Sequence, residues 1–160
     1  MRRAGRADPD GRAADELRAS TLARRYLRFG VRSVAQVRTH LQAHGVPLSV
    51  IGTVLADCKH RGWVDDRACA KLLAGRLAEQ GYAAVAIRAR LEAIRLVPDV
   101  VEAALAPWRS AAAELARARE AAERQRRRPR ALGEPVRVAR WLARRGFSPE
   151  TIEQVVTLHE

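Results

Sequence analysis

The sequence predicts an all-α protein, an elongated, curved array of three tandem three-helix repeats, and three observations predict it. One phrase recurs: Leu41, Leu91 and Leu142 stand about fifty residues apart, a period that marks repeat architectures. Val37, Ile87 and Val138 precede those leucines by four, and Val46, Leu96 and Phe147 follow them by five. Ile51, Val101 and Ile152 align next, then Leu55, Leu105 and Val156, while the residues between differ, as a repeated buried face requires. Strand signals are nearly absent. Aromatic residues make up only 4% of the chain, and Ala, Val and Leu dominate the apolar set, which suits closely approaching helices and several modest cores.

The elements follow in order. Met1 to Arg12, rich in Arg, Asp, Pro and Gly, reads as a disordered basic tail. Leu17, Leu22, Tyr26 and Leu27 give a helical stripe near 13–29 that ends at Gly30. Ser33 with Gln36 forms a capping box for a second helix stopping at Gly45, and Pro47 opens a third with Val50, Ile51, Val54 and Leu55. The carboxylates of Asp65 and Asp66 suit the orphan donors of a helix beginning near Arg67 and running to about Gln80. Ile87 and Leu91 mark the next helix, and Pro98-Asp99 starts another toward Trp108. A longer arm runs from Ala111 to about Arg128, followed by a breaker segment from Pro129 to Pro135. Gly146 and Ser148-Pro149 then give a stop and a start in close succession. The repeats therefore span 13–61, 62–108 and 109–160, the last with an Arg-rich connector near 126–135.

Short helices are marginal alone in water, so each triplet must bury its stripe against its neighbours. Trp63, Trp108 and Trp141 fall near the junctions and read as packing residues.

Thirty Lys and Arg against eighteen Asp and Glu give a net charge of +12, which draws the 160-residue chain toward polyanions or acidic protein surfaces. Only Lys59 and Lys71 are lysines, an Arg bias that a GC-rich genome also produces. No apolar run of eighteen residues occurs and the Arg-rich start lacks a secretory h-region, so a cytoplasmic protein without membrane contact is expected.

Charge placement separates the modes of binding. The third helices, read as 47–57, 98–106 and 149–158, hold no Lys or Arg and carry Asp57, Asp99, Glu102, Glu150 and Glu153, which opposes a major-groove recognition helix. Basic residues gather on the helices before them: Arg24, Arg25 and Arg28, then Arg88, Arg90 and Arg95, then Arg140, Arg144 and Arg145. They would either form a stripe along an extended negative track or make a solvated face whose stems cover apolar surface. Arg126, Arg127, Arg128 and Arg130 are a denser cluster, either a grip on phosphate or a solvated connector.

Nothing points to catalysis or a cofactor. No phosphate loop, GxSxG or HExxH is present, and capping accounts for Asp65 and Asp66. Cys58 and Cys69 read as free buried thiols and His40 and His44 as surface residues, since their spacing matches no zinc module.

Two motifs carry a family resemblance. Gly62-Trp63-Val64-Asp65-Asp66-Arg67-Ala68-Cys69-Ala70 followed by Arg76, with Arg144-Arg145-Gly146-Phe147-Ser148 and Ile152 in the closing repeat, resembles the RecX regulatory family, over about Ala13 to His159. Cys69 stands where that family usually has Phe, and Ala86 and Ile94-Arg95-Leu96 replace an Arg and a Lys-Gly-Ile. The resemblance implies a monomeric modulator that lies in the groove of the RecA filament on single-stranded DNA and restrains ATP hydrolysis, strand exchange and filament growth. It adds Arg76 to the candidate contacts and gives Asp65, Asp66, Gly146 and Phe147 structural roles. The alternative from residues alone is a sequence-independent DNA-binding protein with its arginines on phosphate.

Overall fold

The computed structural model describes residues 9–127 and 134–157. Among them are nine α-helices and no strand: α1 (Pro9–Leu27), α2 (Val34–Ala43), α3 (Leu48–His60), α4 (Asp66–Glu79), α5 (Ala84–Ala93), α6 (Pro98–Leu105), α7 (Ala111–Arg126), α8 (Glu134–Arg144) and α9 (Pro149–Thr157). Helix α1 begins ahead of the expected start, so residues 9–12 of the expected tail are helical. Residues 1–8 of that tail, with Arg128, Arg130 and most of the breaker segment, lie outside the described residues.

The chain divides into two compact units, residues 1–69 and 70–160, with the division inside α4. In the first, α1, α2 and α3 pack on one another around Val37, Leu41, Ile51 and Leu55. The second holds two cores. Ala74, Ile87, Leu91 and Val101 join α4, α5 and α6, while Ala118, Ala121, Val138, Leu142 and Val155 join α7, α8 and α9. Ala83, at the start of α5, is buried in the latter cluster, which ties the second and third repeats into one unit.

The recurrent phrase has a single cause. Helix α2 ends with the Gly45 N–H donating to Gln42 O (3.0 Å) and the Val46 N–H to Leu41 O (3.1 Å), which is a Schellman closure. Helix α5 repeats it from Arg95 to Glu92 (2.8 Å) and Leu96 to Leu91 (3.4 Å), and α8 from Gly146 to Ala143 (2.9 Å) and Phe147 to Leu142 (3.3 Å). The leucine and the apolar residue five later are therefore the two ends of one hydrogen bond, and both are buried. Their hydrophobic contact is the usual companion of this motif.

One position in that closure must be left-handed. Gly45 (φ 70°) and Gly146 (φ 86°) satisfy it, but the second repeat places Arg95 there at φ 57°. A non-glycine residue pays about 1–2 kcal/mol in that region, and glycine gives back part of the gain as unfolded-chain entropy. Arg95→Gly should therefore stabilise the protein by up to about 1 kcal/mol and raise Tm by about 2–4 °C. A calorimetric melt that moves down instead would contradict this origin of the strain.

The caps divide their labour differently from the sequence reading. Ser33 and Gln36 form the capping box (3.1 and 3.0 Å), and Asp65 Oδ1 accepts from the N–H groups of Arg67 and Ala68 (2.8 and 3.0 Å). Asp66 does not cap α4. Its Oδ1 accepts from the Val34 N–H at 2.8 Å, so the second aspartate serves the first turn of α2. Helix α3 also runs past the expected 57 to His60, because Cys58 continues its buried stripe, and its last turn carries Lys59. Helices α6 and α9 contain no Lys or Arg.

Candidate partner-binding surface

Arginines fall into two groups, those committed to the fold and those left to solvent. The first group closes helix ends, where the last carbonyls lack partners and the dipole favours cations. Arg18 donates to His44 O at 2.7 Å, Arg124 to Glu79 O at 2.7 Å, and Arg126 to Val155 O at 3.1 Å. Arg126 thus belongs to α7 and anchors α9, which takes it out of the cluster expected in the connector.

Arg145 is similarly committed. Its guanidinium donates to Gln80 O at 2.8 Å and lies 4.1 Å from the Tyr82 ring and 4.5 Å from that of Trp141. Its own carbonyl accepts from the Ala83 N–H at 2.9 Å, so the closing motif clasps the turn before α5. Arg90 contacts the same Tyr82 ring at 4.0 Å and bonds Ala86 O. Arg88 is paired with Glu102, which also meets Arg109, and the Arg88 hydrogen bond holds the Glu102 carboxyl below its ordinary range.

Arg117 is the residue the sequence reading missed. It is 6% exposed and donates to Tyr82 O at 3.1 Å and Trp108 O at 3.0 Å, and burial pulls its pKa down while Glu114 acts in the opposite direction. The signal was present, since Arg117 falls on the helical stripe of Ala118, Ala121, Ala122 and Gln125 that α7 buries.

Seven of the candidate contacts make up the second group. The side chains of Arg24, Arg25, Arg28, Arg76, Arg95, Arg140 and Arg144 are exposed and make no hydrogen bond or ion pair among the described residues. Three of them gather in one place. Thr21, Arg24 and Arg25 follow one face of α1 and, with Leu27, Trp63 and the residues Arg28 and Phe29 just past the helix end, line a groove of about 920 Å³ in the first unit. Phe29 is 76% and Trp63 40% exposed, so two aromatic surfaces lie open beside three uncompensated guanidiniums. Trp63 therefore departs from the packing role expected of it, whereas Trp108 and Trp141 pack against their cores. Phe29 could have been noticed as a large apolar residue directly after Arg28 and directly before the Gly30 stop.

Other titratable groups have quieter roles. His40 stacks on Tyr26 at 4.1 Å, and burial, then His44, lowers its pKa. Cys58 and Cys69 are free and buried, and burial raises both thiols. No group of three or more metal-ligating side chains occurs among the described residues. No helix among them is long and apolar enough to cross a membrane.

Comparison with known proteins turns on the last three helices. Residues 112–156 match the family model for the third three-helix domain of RecX. The closing three helices are similar to a RecX third domain. The fold of the chain is also that of solved RecX structures. A crystal structure of RecX from Lactobacillus salivarius is similar over 91% of this chain and 97% of that one, with a TM-score of 0.72 at 16% identity. A second, of regulatory protein RecX, is similar over 97% of this chain and 80% of that one, with a TM-score of 0.70 at 17% identity. No sequence among the curated proteins matches this chain. The RecX-type match includes Arg140, Arg144, Arg145, Gly146 and Phe147, and so covers the whole of the closing motif.

Proposed function

We propose that this chain is a RecX-type, non-enzymatic regulator that binds the RecA filament on single-stranded DNA and restrains its ATPase, strand exchange and growth. The observation that carries the reading is the match of residues 112–156 to a RecX domain, in a chain whose described arginines include seven exposed ones without an acidic partner. The second solved relative is itself described as a regulatory protein. Exposed guanidiniums that fold-internal acids do not neutralise are suited to an acidic filament surface, and several weak contacts on one body add through effective concentration. The work is done by occupation, without a cofactor, by a cytoplasmic monomer. Asp65, Asp66, Gly146 and Phe147 serve by holding helix ends in place, as their caps and burial support.

The test is RecA's DNA-dependent ATPase titrated with the protein. Hydrolysis should fall in a saturable way, and filaments viewed by electron microscopy should shorten. Hydrolysis and length both unchanged at saturation would sink the reading. The same seven arginines favour a second one, a sequence-independent DNA-binding protein. It predicts that affinity for naked duplex falls steeply with salt, by a log–log slope of about 0.9 for each phosphate contacted.

A further inference from the structure

We infer that the groove at the end of α1 holds a short run of single-stranded DNA, with phosphates on Arg24, Arg25 and Arg28 and bases stacked on Phe29 and Trp63. This rests on the reading above for the choice of DNA as partner, and goes beyond it in assigning base contacts to the first unit.

Three features lead there. The guanidiniums carry no ion pair, so their charge is available to a ligand. Two large aromatic side chains remain open where a fold seeking only stability would cover them. Interleaved cations and aromatic faces are the composition of single-strand sites, in which the groove tracks the backbone and every base offers a π-face to stack. A duplex hides its base faces within its own stack and would meet only the arginines. The groove volume, about 920 Å³, lies in the range of sites that bury small ligands, roughly 300–1,000 Å³, and so accommodates a nucleotide or a few rather than a long strand. Arg61, held by Asp57 at 2.8 Å, lies 5.3 Å from the Trp63 ring and restrains that side chain at the groove wall.

The experiment uses the full chain without RecA and follows the anisotropy of labelled twelve-residue oligothymidylate against an abasic strand of the same length. The thymidylate should bind at least about fivefold more tightly. Phe29→Ala and Trp63→Ala should each abolish most of that preference, with abasic binding unchanged. Arg24→Ala, Arg25→Ala and Arg28→Ala should weaken both ligands alike and lower the salt slope by about 0.7 per arginine. Circular dichroism melts check that each variant is folded, and Trp63→Phe, which keeps an aromatic face, should retain the preference. Equal binding of abasic and thymidylate strands would overturn the inference. So would equal or tighter binding of a twelve-residue polyglutamate, which would mark a protein groove, or tighter binding of oligouridylate than of thymidylate. Because RecA is absent, each of these failures leaves the ATPase titration to judge the regulator reading separately. An unchanged ATPase beside intact base-dependent binding would remove that reading and keep the groove.

Discussion

Replacing Arg117 by alanine should destabilise the second unit by about 3 kcal/mol or more. The side chain is 6% exposed and bridges the carbonyls of Tyr82 and Trp108, the first before α5 and the second after α6. Hydrogen bonds from a charged donor contribute about 1.5–3 kcal/mol each, and an acceptor left buried without a partner adds its own desolvation cost. The guanidinium also lies 5.8 Å from the Trp108 ring, so truncation opens space beside that ring. Arg117→Lys should recover little, because a single ammonium cannot reproduce a planar fork that reaches two carbonyls. Arg117→Met removes the buried charge while keeping much of the stem, and should fall between wild type and alanine. Urea unfolding followed by circular dichroism reads these differences directly. An alanine variant within about 0.5 kcal/mol of wild type, the range of ordinary surface substitutions, would show that the bridge contributes nothing.

That a buried arginine anchors the joint explains why the sequence disclosed the frame more readily than the surface. The frame is written in pairs of local partners. Leu41 with Val46, Leu91 with Leu96 and Leu142 with Phe147 are ends of the same helix closure, so their spacing is constant and visible. Ser33 and Gln36 are likewise local. Arginine is ambiguous by contrast, since the same side chain can cap a distant helix or face water. Arg144 and Arg145 are adjacent and chemically identical, yet the first is exposed and the second is clasped between Tyr82, Trp141 and Gln80 O. Only the packing of α8 on the turn before α5 distinguishes them. The groove was hidden for a related reason, because Trp63 lies far from Arg28 in sequence and only the fold brings them together.

Gly146→Ala should cost about 2–4 kcal/mol, well beyond the ordinary penalty for alanine at positive φ, which is about 1–2 kcal/mol. The backbone there has φ +86°, and an added Cβ would stand 2.9 Å from Ala86 Cβ and 3.3 Å from Val85 Cγ1. Ala86 Cβ is one bond from the α5 backbone and has no rotamer by which to withdraw, so relief requires the first turn of α5 to move. That movement would stretch the Ala83 N–H to Arg145 O bond, now 2.9 Å, and disturb Phe147, which is 4% exposed. Gly45 supplies the internal control. It occupies the same place in the first repeat at φ +70° with nothing within 4 Å of the added Cβ, so Gly45→Ala should show only the conformational penalty. Pairing Gly146→Ala with Ala86→Gly removes the 2.9 Å contact and should return part of the loss, less about 1 kcal/mol for glycine inside a helix. Equal losses at positions 45 and 146, with no coupling to position 86, would mean that close approach of α5 is not what requires glycine in the Arg-Arg-Gly-Phe motif.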